Sequence, residues 1–406
     1  MTRLNFDPAL PELPVIDDAD TVASLLTPGR DVVRVRRQDT KYVPGVSCVA
    51  AFEVRTGGSE SVLGAINVTP DGVVGYAAAN DPALPSLAPA LDETQMRRRL
   101  ASVDEVGADV RLVHVTPVRY KPGVRCVLRY DVTTATGPET FYGKLLSGDG
   151  TAEVSIARAL GNATAAHAEA PLVLPVTAHW PDLGMMLQPA LRDTVELHDQ
   201  VTDARMSVSR RGHLFARAGR ALAGLHSTWL PELRRRDLAD DLTELREHLR
   251  VAERADPACA DRFVAVIDRL AAVADEAADA PVTTHGAFRT DQFLVAGEDM
   301  VLIDLDTVCR AEAACDLGNV LAYLDWKRIR HPRLADTVSD ISQSFLSGYA
   351  DVRPLPSAAR LAACRATSLA KIAGRRLRSL TTAEWPLIPD LLSASALALM
   401  TPEVHS

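Results

Sequence analysis

Shifted by 78 positions, the chain falls on itself: Tyr42 lands on Tyr120, Pro44 on Pro122, Gly45 on Gly123, Val46 on Val124 and Cys48 on Cys126. The same shift pairs Phe52 with Tyr130, Val54 with Val132, and Asp71-Gly72 with Asp149-Gly150. Register is kept without a gap over roughly 30 residues, the mark of a repeated supersecondary unit. Each copy sets a Pro-Gly turn between runs of alternating, β-branched residues, which is hairpin chemistry. The reading is a duplicated three-stranded meander; the alternative is two unrelated hairpins that share turn chemistry. The copies differ on the third strand, where Lys144 in FYGKLL aligns with Ile66 in LGAINV.

The character of the chain changes near residue 190. HLFARAGRALAGLHSTWL (213–230), DLTELREHLRVAERA (241–255) and ADRFVAVIDRLAAVADEA (260–277) carry apolar residues three and four apart, the helical spacing. A short β segment interrupts at 293–305, and helices return from about 316. The expected organisation is an arm over 1–30, a first meander over 31–105, a second meander and connection over 106–190, and a helical lobe over 191–406.

Composition narrows the function classes. The 406 residues carry a net charge of −9, which gives no general attraction to a phosphate backbone, so nucleic acid is not an expected partner. No run reaches the roughly 18 apolar residues of a membrane helix, and the opening MTRLNFDPALPELPVIDDAD lacks a signal peptide's apolar run, so a cytoplasmic protein is expected. Six scattered cysteines form no CxxC pair, which argues against a zinc site. Only Lys41, Lys121, Lys144, Lys327 and Lys371 are lysines, against 44 Lys plus Arg in all. Where arginine is the default cation, each retained ammonium needs a reason.

The segment THGAFRTDQFLVAGEDMVLIDLDTVCRAEAACDLGNVLAYL (284–324) carries the chemistry. It reads as a loop, a short strand (292–295), a turn at Gly297, a second strand (300–305) and a helix beginning near Asp316. His285, Gln292, Asp304 and Asp306 then gather at one hairpin mouth. A carboxylate and an amide oxygen placed there suit a divalent metal. Asp304 lies within the apolar run Val301, Leu302, Ile303 and Leu305, where an acid is costly without a counter-charge. Asp306 is expected to pair with Arg310, and Asp316 to cap its helix.

This segment resembles the aminoglycoside and choline phosphotransferase family. The resemblance rests on His285-Gly286, on Gln292 where that family has Asn, on Ile303-Asp304, and on Asp316-Leu317-Gly318-Asn319. It implies an α+β, two-lobed, protein-kinase-like fold with a β-rich N-lobe and a helical C-lobe. It implies ATP and Mg2+ as cofactors, and a small-molecule or peptide acceptor. Under it, Tyr120, Gly123 and Arg125 form the turn over the nucleotide phosphates. Lys144 contacts those phosphates with Glu153 as its ion-pair partner, Leu187 and Gln188 face adenine, and Asp304 and Gln292 hold the metal. The family's catalytic Asp falls at Ala287, which can neither accept nor orient a proton. Asp291, His285 and Asp306 are the nearest replacements, His285 being expected as a structural hydrogen-bonder. A pseudokinase, or a binding module using an edge strand of the first meander for a protein partner, are the competing readings.

Overall fold

A computed structural model describes residues 4, 6–57, 61–274 and 278–400. Contacts divide the chain into two units. The first comprises 1–155, 175–190 and 378–382; the second comprises 156–174, 191–377 and 383–406.

The first unit is built on the repeat. Strands β1 (Val32–Val43), β2 (Ser47–Thr56) and β3 (Ser61–Thr69) have counterparts of equal length in β5 (Val110–Lys121), β6 (Arg125–Thr134) and β7 (Pro138–Leu146). Both sets run antiparallel, with Tyr42 opposite Cys48 and Tyr120 opposite Cys126. The duplication is longer than the strands. Asp7-Pro-Ala-Leu-Pro recurs as Asp81-Pro-Ala-Leu-Pro, 74 positions on. Helix α1 (Ala19–Leu26), capped by Asp18, recurs at the same offset as α3 (Glu93–Leu100), capped by Asp92. Ahead of that helix, the 3-10 turn Leu13–Asp17 of the first copy has its counterpart, again 74 positions on, in a short α2 (Leu87–Leu91). The residues expected as an arm are therefore part of the first copy.

Each Asp-Pro segment locks the Pro-Gly turn of its copy. Asp7 Oδ2 accepts from the Tyr42 hydroxyl at 2.6 Å and the Gly45 N–H at 2.8 Å. Asp81 Oδ2 accepts from Tyr120 and Gly123 at 2.7 and 2.8 Å. After the repeated Asp-Gly the copies part. Gly72 opens strand β4 (Gly72–Ala77), whose VVGYA alternates, whereas Gly150 leads into helix α4 (Thr151–Ala165), rich in helix formers. The place beside β7 goes instead to β10 (Met185–Pro189) and then β9 (Ala178–Trp180), making a five-stranded sheet. One core joins the copies: Ala51 and Ala65 of the first belong to the same buried cluster as Met96, Leu128 and Tyr130 of the second.

The second unit is helical. Its helices are α5 (Leu197–Gln200), α6 (Val208–Ser227), α7 (Leu238–Ala255), α8 (Pro257–Ala274), α9 (Ala313–Arg330), α10 (Ala335–Ala350), α11 (Ala358–Arg378) and α12 (Ile388–Met400). Gly219 and Gly348 let α6 and α10 touch, since a Cβ on either would lie 2.0 Å from a carbonyl oxygen of the other helix. A small sheet runs β11 (Val195–Glu196), β13 (Phe293–Ala296), β14 (Asp299–Leu302) and β8 (Leu172–Val173), the last parallel to β14. Strands β12 (Val282–Thr284) and β15 (Cys309–Ala311) pair separately and bracket the hairpin. β14 stops at Leu302, earlier than its apolar run suggests, because Asp304 turns into the left-handed region.

Candidate functional site

The loop after β12 is fixed by groups outside it. Asp316, fully buried in the first turn of α9, accepts from the His285 N–H at 2.6 Å and the Gly286 N–H at 2.9 Å, while the Phe288 N–H stands off at 3.5 Å. The His226 Nε2 stands 3.2 Å from the same carboxylate, and the His226 Nδ1 meets the Tyr349 hydroxyl at 2.9 Å. Burial pushes the Asp316 carboxyl up, but the His226 ring and the loop's N–H groups outweigh it and hold it below its ordinary value. Asp316 therefore caps this loop and not its own helix, whose N-cap is Glu312. Asn319, one turn on, donates to the Phe288 carbonyl at 2.7 Å. Gly286 is obligatory: its φ is +79°, and a Cβ there would lie 2.1 Å from the Thr307 carbonyl oxygen.

His285 is fully buried, with Nε2 3.1 Å from the Ile303 carbonyl, and so ties the loop to the end of β14. Gln292 is buried in a single 3-10 turn (Thr290–Gln292), and its Oε1 accepts from the Arg289 N–H at 2.7 Å. Asp304 follows β14 at φ 60° and ψ 58°, half-buried. Asp306 is exposed, while the Arg310 guanidinium donates to the Leu233 carbonyl and lies over the Trp229 ring. Asp291 forms an ion pair with Arg289 at 3.1 Å.

Behind the loop lies a charged network the sequence did not disclose. Arg236 donates to the Gly286 carbonyl at 2.9 Å and also pairs with Asp241. Lys371 Nζ sits 2.6 Å from both Asp241 and Glu244, and Arg375 reaches Glu244 at 3.3 Å and the Tyr323 hydroxyl at 3.2 Å. Arg289 lies over the Tyr323 ring at 5.2 Å. Burial pushes the Tyr323 phenol up, but the Arg375 and Arg289 guanidinium groups prevail and hold it below the usual tyrosine value. The insert acids Asp241 and Glu244 are thus neutralised from within. One signal for the network lies in the sequence: Lys371 is among the five lysines of an arginine-rich chain.

In the first unit, Lys144 sits on β7 between Val127 of β6 and Met186 of β10, and Glu153 occupies the first turn of α4. Leu187 and Gln188 lie on β10, with Leu187 fully buried and Gln188 half-buried. Arg125 opens β6 opposite Leu146. The Tyr120 hydroxyl and the Gly123 N–H, expected at nucleotide phosphates, are both directed to Asp81 and brace the turn. Among the described residues no helix is long and apolar enough to cross a membrane, and no group of three or more His, Cys, Asp or Glu could hold a metal.

The chain is similar in fold to an amicoumacin kinase solved with AMP-PNP, Ca2+ and its antibiotic: 14% identity, 78% of this chain and 96% of that one, TM-score 0.51. A glucosamine kinase with glucosamine, ADP and inorganic phosphate matches at 18% identity over 93% and 96% of the two chains, TM-score 0.44. A choline/ethanolamine kinase family protein from Mesorhizobium loti matches at 16% identity over 76% and 95%, TM-score 0.48. No curated protein matches the sequence. The profile of the phosphotransferase enzyme family matches residues 129–355, more than half the chain, and the protein belongs to that family.

Proposed function

We propose that the protein binds MgATP and transfers its γ-phosphoryl group slowly to a hydroxyl of a small molecule or peptide. The observation that carries this reading is Asp304. A non-glycine residue at positive φ is uncommon and costs about 1 kcal/mol or more, and such strain gathers at ligand sites. Here it turns a half-buried carboxylate out of an apolar strand.

The residues fit magnesium. That ion is usually held by one or two carboxylates together with nucleotide phosphates, so a protein-only cluster is not required. Asp304 supplies the carboxylate. The Gln292 amide oxygen has a second lone pair besides the one engaged by Arg289. Bound Mg2+ would neutralise charge developing on the phosphates. Lys144 is assigned to the phosphates, with Glu153 as its partner, and Leu187 and Gln188 to the adenine side. Proton acceptance is the weak point. Ala287 offers none, Asp291 is committed to Arg289, and His285 is fully buried. Loss of general-base help costs typically 10²–10⁴ in rate, less where the transition state is loose.

Those same three residues favour a second reading, a pseudokinase that binds nucleotide without transfer. Calorimetric titration of MgATP into the wild type and Asp304→Ala, followed by an ADP-release assay, separates the readings. Saturable binding abolished in the variant, with slow ADP release, supports transfer. Binding without ADP release in any acceptor screen supports the pseudokinase, and no binding by the wild type sinks both.

A further inference from the structure

Beyond the C-terminal end of α9, away from Asp316, the second unit holds an open cavity of about 610 Å³, within the roughly 300–1,000 Å³ usual for small-molecule sites. It shares no lining residue with the candidate site. Five polar side chains line it: Thr202, Arg211, His331, Arg333 and Thr337. No carboxylate does, in a chain with 53 acidic residues against 44 basic ones. Arg211 is only 9% exposed and held in place, its Nε donating to the Gln200 carbonyl at 3.1 Å and its Nη2 to the Asp203 carbonyl at 2.6 Å. Its Nη1 has no acceptor among the described residues, and there the side chains of Thr202, His331, Arg333 and Thr337 bond to nothing. The acids nearby stand outside the lining. Asp203, whose carboxylate also acts on Arg211, binds Arg205 at 3.1 Å; Asp199 offsets Lys327; Asp336 is exposed on α10.

A buried guanidinium whose hydrogen bonds go to neutral carbonyls is costly to keep without an anion in contact. We propose that this cavity binds the phosphate group of a small phosphorylated molecule with an apolar body. Guanidinium forks suit phosphate oxygens, and five donor side chains match the three acceptor oxygens of a phosphoryl group better than the two of a carboxylate. Leu334 and Thr337 belong to the N-cap and first turn of α10, a helix of 16 residues with no side-chain cap, whose positive end adds to the attraction. Val201, Met206 and Leu334 give the remainder of the lining an apolar surface on which the ligand's body can be buried. The inference goes beyond the nucleotide reading, and since the two sites have no residue in common, either can fail alone.

The test uses the full-length protein without nucleotide, at constant ionic strength, with phenyl phosphate as the probe and inorganic phosphate and benzoate as comparison anions. Phenyl phosphate should raise the melting temperature saturably and bind more tightly than either. The double variant His331→Gln, Arg333→Gln should weaken it about tenfold or more, the loss expected on removing charged hydrogen-bonding partners. Both side chains are exposed and bond to nothing in the described chain, so the fold should survive. Arg333→Glu, which reverses one charge, is the second variant and should weaken binding by the same factor. MgATP titration should not distinguish these variants from the wild type. Equal phenyl phosphate affinity in the wild type and both variants overturns the proposal, as does no saturable response, or binding no tighter than that of benzoate or inorganic phosphate.

Discussion

Asp316→Asn should destabilise the second unit while leaving the first intact. The substitution keeps the shape but removes the charge and sets an amide N–H among donors. Two loop N–H bonds are short, at 2.6 and 2.9 Å, and the third, at 3.5 Å, is too long to count. Hydrogen bonds to a charged group contribute about 1.5–3 kcal/mol each, so two give about 4 kcal/mol. That agrees with the 3–5 kcal/mol typical of breaking a buried pair such as His226 with Asp316. Two units forbid a single two-state fit, so the reporter must belong to one of them. Trp180 lies in the first unit and Trp229, Trp326 and Trp385 in the second, so a Trp180→Phe background makes fluorescence report the second unit alone. With a urea slope of about 3 kcal/mol/M, the midpoint should fall by about 1.3 M. The pH dependence follows from the depressed folded-state value of Asp316. Its contribution is fully present above the ordinary carboxylate range and is lost only as pH falls through the lower folded value. The difference between wild type and variant should therefore be flat from pH 7 to 5. A midpoint change under about 0.3 M, or a difference already shrinking in that window, would refute the reasoning.

Gly286→Ala should cost more than about 3 kcal/mol, because a methyl group at φ +79° would meet the Thr307 carbonyl oxygen at 2.1 Å; the same fluorescence melt reads it. Asp81→Asn and Asp7→Asn should each destabilise the first unit by about 2–3 kcal/mol, since each leaves a buried tyrosine hydroxyl and a turn N–H short of a charged acceptor. Trp180 fluorescence, with the other three tryptophans replaced, measures both.

The strands of the first unit were legible because hairpin register depends on local alternation and turn residues, both readable at short range. The rest of the repeat was hidden by arithmetic. Five residues separate α1 from β1 but nine separate α3 from β5, so the upstream halves match at 74 and the strands at 78. A search at one offset sees only one half. The helices of the second unit followed from their spacing, with α6, α7 and α8 lying close to the segments expected for them. The candidate site was legible as a motif but not as a network. Asp316 reads locally as a helix cap because proximity in sequence is the only evidence there. Its true partners, His226 and the His285 and Gly286 N–H groups, lie 30 to 90 positions away, and Tyr349, which meets the other nitrogen of His226, lies 123 positions from that ring. Arg236, Asp241, Lys371 and Arg375 come from α11 and from α7 with the segment before it, and no local rule joins them.

Scaffold and chemistry are separable in this loop. Its backbone is held by Asp316 on two N–H groups, by Asn319 on the Phe288 carbonyl and by Arg236 on the Gly286 carbonyl, and none of these bonds uses the side chain at 287. The geometry of the loop is therefore independent of the side chain that position 287 carries. The loop has a strained Asp304, an obligatory Gly286 and, around Asp316, a clamp of His226 and two loop N–H groups, so the folding energy spent here maintains an ordered site.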